Sequence, residues 1–167
     1  MNKIIPAKLL AKSRSKVLIS PLGLLVLAAC SGGNKSGDAN FLREGDLVKG
    51  PLKDALAFLD YDGDKLPSVG EPTIRSSADG SYSLTGAAGN ESANIVAITD
   101  SSTVDTSSGT VLSGITLSAP ATASVVSMAS TLMVESSMTE AEVQAALGIS
   151  GEVDLLTFNP FSLSATA

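Results

Sequence analysis

The chain has 167 residues, with 11 Lys and Arg against 17 Asp and Glu, no His, no Trp and a single Cys. Without His it lacks the side chain most used for proton transfer near neutral pH, and one Cys cannot build an internal disulfide, a four-Cys zinc site or an iron–sulfur cluster. A formal charge of −6 speaks against a nucleic-acid partner, since such binders need a basic surface to meet phosphates.

Residues 1–29 hold five basic side chains (Lys3, Lys8, Lys12, Arg14, Lys16) and no acid, leaving 6 basic against 17 acidic residues, a net of −11, in the remainder. An apolar run over residues 17–29, broken by Ser20, Pro21 and Gly23, follows the basic stretch. This is the layout of a secretory signal, and it falls short of the roughly 20 apolar residues of a spanning helix. Leu27-Ala28-Ala29-Cys30 resembles the lipobox of bacterial lipoprotein signals. The resemblance implies cleavage before Cys30, a diacylglycerol on its thiol and an acyl chain on the new amino terminus. Two or three acyl chains anchor stably where one is marginal, so the membrane is an expected partner through the lipid on Cys30. Ser31 follows Cys30 where Asp would favour retention, which by the same resemblance implies the outer membrane or cell surface.

Residues 30–44, rich in Ser, Gly and Asn and without periodicity, read as a flexible tether. A β-module is expected over residues 45–118. Short apolar stretches alternating with turn signals predict strands at 46–49, 55–60, 73–76, 81–84 and 93–99. Asp79-Gly80 is a hairpin signal between two of them, and Gly50-Pro51 marks another turn.

Between the second and third predicted strands, residues 60–71 read Asp-Tyr-Asp-Gly-Asp-Lys-Leu-Pro-Ser-Val-Gly-Glu. Asp60, Asp62, Asp64 and Glu71 stand at relative positions 1, 3, 5 and 12, with the Leu66 carbonyl at position 7 and Ser68 at 9. This is the ligand spacing of an EF-hand calcium loop, which gathers six to eight hard oxygens around the ion. Four carboxylates so close repel one another unless a cation sits among them. The loop departs from the pattern at position 6, where Lys65 replaces Gly and adds a positive charge, at position 8, which is Pro67, and in flanks that read as strands. The bare alternative is a solvated acidic turn.

In residues 92–137, 19 of 46 positions are Ser or Thr, a composition shared with glycosylated or disordered stalks. Interleaved Ile95, Val96, Ile98, Val111, Leu112, Ile115 and Leu117 favour strands and loops with polar outer faces instead. Residues 119–167 are expected to be helical. Val125, Met128, Ala129, Leu132 and Met133 fall at helical spacing. A second helix is capped by Thr139, with Glu142 completing a capping box and Gly148 ending it; its apolar face is predicted as Val143, Ala146 and Leu147.

The order from Gly50-Pro51 through the acidic loop to Gly70-Glu71-Pro72 and Ala78-Asp79-Gly80-Ser81-Tyr82 resembles carboxypeptidase-regulatory-like modules of bacterial surface proteins. It is also similar to the calcium-binding B repeats of serine-aspartate-repeat adhesins. The resemblance covers residues 45–100 and implies a small transthyretin-like antiparallel β-sandwich, here followed by one or two short helices. Larger relatives continue after such a module, so a truncated remnant of a longer adhesin is one expectation. No nucleophile elbow, phosphate loop or dinucleotide fingerprint is present, and the resemblance supplies no catalytic residue. The leading expectation is a non-catalytic, lipid-anchored adhesion or structural module with a calcium loop of weak affinity, as in extracellular modules, meeting a surface protein or glycan. An alternative is a carbohydrate- or peptide-binding accessory lipoprotein; such a role usually shows an exposed aromatic platform, for which Phe41, Phe58, Tyr61 and Tyr82 are thin material.

Overall fold

The structure is a computed structural model and describes residues 40–162. The leader, Cys30 and residues 30–39 of the expected tether lie outside the described residues. The protein is mainly β. In chain order the strands are β1 (Phe41–Val48), β2 (Leu52–Lys53), β3 (Leu56–Asp60), β4 (Thr73–Arg75), β5 (Ser81–Gly86), β6 (Asn94–Ile98), β7 (Val104–Asp105), β8 (Thr110–Val111), β9 (Thr116–Ala119) and β10 (Val125–Ser127). Two helices follow, α1 (Met128–Glu135) and α2 (Glu140–Leu147). None of the helices among the described residues is long and apolar enough to cross a membrane.

Two sheets enclose the core. One has the order β10-β1-β5 and the other β4-β3-β6-β9; β2, β7 and β8 form a third, small sheet. Pairing is antiparallel except between β1 and β10, which run parallel with Asp46 opposite Val125. Leu47, Tyr82, Leu84 and Val126 from the first sheet meet Ala57, Leu59, Ile95, Ala97, Leu117 and Ala119 from the second. Each large side chain so buried contributes about 1.5–3 kcal/mol. The alternation of β5, with Tyr82, Leu84 and Gly86 buried and Ser83 and Thr85 exposed, is what a strand with one wet face requires. By contrast β3 and β6 are buried on both faces: Phe58 and its cross-strand partner Val96 are buried on the side opposite Ala57 and Leu59. Over that outer side, α1 is fixed to β9 at Ser118, whose N–H donates to Thr131 Oγ1 at 2.9 Å and whose carbonyl accepts from Ser130 Oγ at 2.9 Å.

Four expectations need correction. The tether does not extend to residue 44, because the first strand begins at Phe41. A glycine sits mid-strand at Gly45 because a Cβ there would collide with the Ser124 carbonyl, in the segment that leads into β10. Val125 is not helical: β10 lies inside the segment expected to be helical, completes the sheet of β1 and places Val126 in the core. The helix begins after it, capped by Ser127. Asp79-Gly80 makes a turn but not a hairpin, since β4 and β5 belong to different sheets. Gly80 has φ +86° and a Cβ there would stand 2.8 Å from the Leu47 carbonyl. Finally, α2 carries the expected Thr139–Glu142 capping box and a left-handed Gly148, but of its predicted apolar face only Val143 is buried; Ala146 and Leu147 are exposed. The helix docks through Val143 and Gln144, and Gln144 Nε2 donates to the Val153 carbonyl at 2.8 Å.

Candidate metal centre

The acidic loop connects β3 to β4 and starts from a fixed point. Asp60 is the last residue of β3, only 6 % exposed, and pairs across the strands with Asn94 of β6. Its two carboxylate oxygens accept from the backbone of the turn that follows: Gly63 N–H at 2.8 Å and Lys65 N–H at 3.3 Å. Glu71 closes the other end, accepting from Tyr61 N–H at 2.7 Å and Ser68 N–H at 2.9 Å. One carboxylate thus ties together the two ends of the loop.

Asp60, Asp62 and Glu71 bring one carboxylate oxygen each within 4.8 Å of the others. Asp60 is buried, Glu71 half-buried and Asp62 exposed. The cluster could hold a metal ion, and its all-oxygen donors suit a hard divalent cation rather than a soft one. Burial pushes the Asp60 carboxyl above its ordinary value; the neighbouring Glu71 and Asp62 charges push it the same way, while the Gly63 and Lys65 N–H groups oppose the rise.

The remaining sequence-predicted ligands are placed differently. The carboxylate of Asp64 stands outside the cluster; its Oδ1 accepts from Leu66 N–H at 2.7 Å. Asp62 Oδ1 closes a like turn, accepting from Asp64 N–H at 3.2 Å, and still lies within reach of Asp60 and Glu71. Ser68 Oγ donates to the Leu66 carbonyl at 3.5 Å, and Ser68 N–H serves Glu71. Lys65 adopts φ +62°, the left-handed conformation that position 6 requires and Gly ordinarily supplies. Its ammonium does not lie over the carboxylates unopposed; it forms an ion pair with Glu135 at the end of α1, and Glu135 also accepts from Ser118 Oγ at 3.1 Å.

A polar pocket of about 390 Å³ adjoins the cluster, lined by Asp60, Asp62, Asn90, Ser92 and Asn94 among others. The loop between β5 and β6, which supplies Asn90 and Ser92, and Asn94 at the start of β6 stand outside the ligand spacing of residues 60–71. The register Asp60 opposite Asn94 is the signal that finds them, and that register is not local in sequence.

Of the four aromatics weighed as material for a platform, Phe58 and Tyr82 are buried and Phe41 and Tyr61 are half-buried. The chain matches no family model, no curated protein and no solved structure.

Proposed function

We propose that this protein is a non-catalytic, lipid-anchored module of a bacterial cell envelope, serving adhesion or envelope structure, whose β3–β4 loop binds calcium. The observation that carries the calcium part is the convergence of Asp60, Asp62 and Glu71 in a loop with EF-hand spacing. A calcium ion there would offset the repulsion among three carboxylates and bind the end of β3 to Glu71, two residues before β4. Asp60 and Glu71 would provide the ordered donors, since backbone N–H groups already fix both, and Asp62 the accessible one. The anchor is supported by the basic leader, the apolar run and Leu27-Ala28-Ala29-Cys30.

The metal part is tested by melting the full chain in mild detergent with calcium, magnesium or chelator. At 10 Kd of calcium the expected stabilisation is about 1.4 kcal/mol, and Asp62→Ala removes it; an unmutated protein indifferent to calcium overturns this half of the proposal. For the anchor, mass spectrometry of the amino-terminal peptide from the membrane fraction should read an acylated Cys30. An unmodified Cys30 there rejects it.

A further inference from the structure

A second concave site lies between the end of β1, the β10–α1 junction, α2 and the segment that follows it. It is a groove of about 330 Å³ whose apolar lining includes Val48, Met128, Leu147, Ile149, Leu155 and Phe158. Val48 and Leu155 are buried and form its floor, while Met128, Leu147 and Phe158 are each about half exposed and form its walls. Only Lys49 and Ser127 bring polar side chains to the lining, and none of its residues is acidic.

Lys49 distinguishes this groove from a bare apolar patch. Residues 40–162 contain 16 acidic and 5 basic side chains. Among the described residues, Lys53 pairs with Asp54, Lys65 with Glu135 and Arg75 with Asp100, and Arg43 stacks over Phe41 at 4.6 Å while donating to the Glu91 carbonyl. Lys49 alone has no ion-pair, hydrogen-bond or stacking partner among them, and it is exposed beside the groove. Ser127, the N-cap of α1, also lines the groove, and the first turn of that helix carries no acid; the positive end of the helix dipole adds to the local potential. In a domain this acidic, an acid-free apolar trough with one unpaired cation has the polarity of an anionic amphiphile.

We propose that this groove binds a free long-chain fatty acid, the acyl chain lying between Met128, Leu147 and Phe158 and the carboxylate meeting Lys49. A trough with a buried floor and standing walls receives a slender chain, whereas a flat membrane or protein surface would reach only its rim. The net acidity of the domain further disfavours an extended anionic surface.

The test uses membranes from cells expressing the full chain, photolabelled with a diazirine-bearing palmitate, with adducts mapped by peptide mass spectrometry. Adducts at Met128, Leu147 or Phe158, suppressed by excess unlabelled palmitate, support the site. Leu147→Glu is expected to lower labelling about tenfold by placing a charge in the trough, and Lys49→Glu about threefold through the exposed ion pair alone, both at unchanged melting temperature. If Leu147→Glu fails to fold, Met128→Gln on the opposite wall is expected to lower labelling in a folded protein. Labelling that palmitate does not compete, equal labelling by a photoactivatable phosphatidylcholine, or a second copy cross-linked across the groove overturns the proposal.

Discussion

Two acidic turns of this molecule resolve the same chemical problem in opposite ways. In the loop after β3, Asp60, Asp62 and Glu71 share a small volume, and their donors are backbone N–H groups rather than cations. Around β7, Asp100 and Asp105 are just as close in sequence but each is separately satisfied. Asp100 accepts from the Arg75 guanidinium at 2.6 Å and from Ser102 N–H and Oγ at 2.9 and 2.5 Å. Asp105 accepts from Ser107 Oγ at 2.6 Å and its N–H at 2.9 Å. Burial lifts the Asp60 carboxyl, whereas the Arg75 guanidinium holds Asp100 well below the usual carboxylate range and the Ser107 hydroxyl lowers Asp105. Carboxylate density therefore does not by itself mark a candidate cation site; carboxylates that converge on one another without an ion-pair partner among the described residues do.

Removing the Asp60 side chain is the most damaging way to break this contrast. Asp60→Ala leaves the Gly63 and Lys65 N–H groups without their acceptor, at an expected cost of about 2 kcal/mol, and it abolishes any response to calcium. The sharper variant is Asp60→Asn, which keeps an acceptor for one of the two N–H groups and removes a repelling charge. In chelator at neutral pH it is expected to melt above Asp60→Ala. The same change at Asp100 loses the Arg75 pair and lowers the melting temperature, while leaving the calcium increment intact. Thermal melts of the two variants with and without calcium decide the matter; equal losses from both would erase the distinction between the turns.

The pH dependence of stability without calcium should separate the turns in sign as well. Asp60 has its folded value raised above the ordinary 3.8. Its folded form takes up a proton first, so stability from this group is lost as pH rises through the folded value and fully regained below 3.8. Asp100 is depressed from the same 3.8, so its contribution is complete above that value and lost as pH falls through its lower folded one. On acidification, Asp60→Asn should therefore lose stability more steeply than the unmutated protein and Asp100→Asn less steeply. Denaturant titrations from neutrality downward measure both slopes, and parallel curves would contradict the assignments.

Strands β3 to β6 were legible because their apolar runs and bounding turns are local, and the α2 cap was legible because Thr139 and Glu142 stand three residues apart. The start of β1 was not: Phe41, Leu42, Arg43 and Glu44 read as linker, and the reason for the glycine that follows them is the Ser124 carbonyl, 79 positions further along the chain. For the same reason β10 was missed, since Val125 and Val126 run into the helical spacing of Met128 and Leu132 and only the parallel pairing with β1 sets them apart. At the candidate metal centre, the spacing located the loop and the three carboxylates that converge. It could not show that Asp64 turns to Leu66 N–H, because alternate Asp residues serve equally as ligands or as caps of their own turns. The fatty-acid groove left no contiguous signal, being assembled from residues as distant as Val48 and Phe158.

The smallest expected effect concerns Lys65, which stands where an EF-hand loop has Gly. Its left-handed φ of +62° costs a non-glycine residue about 1 kcal/mol, and the partly exposed pair with Glu135 returns about 0–1 kcal/mol. Lys65→Gly relieves the first and forfeits the second, so the melting temperature should hardly move. Calcium affinity is a different matter, because both partners act on the field at the carboxylates. Removing the Lys65 charge should tighten calcium binding about two- to threefold, and Glu135→Gln, which leaves that charge unopposed, should weaken it by a similar factor. A double-mutant cycle read by calcium titration then isolates the pair. With Lys65 already glycine, Glu135→Gln should have little further effect on affinity; a full second loss would show that Glu135 acts on the loop directly and not through Lys65.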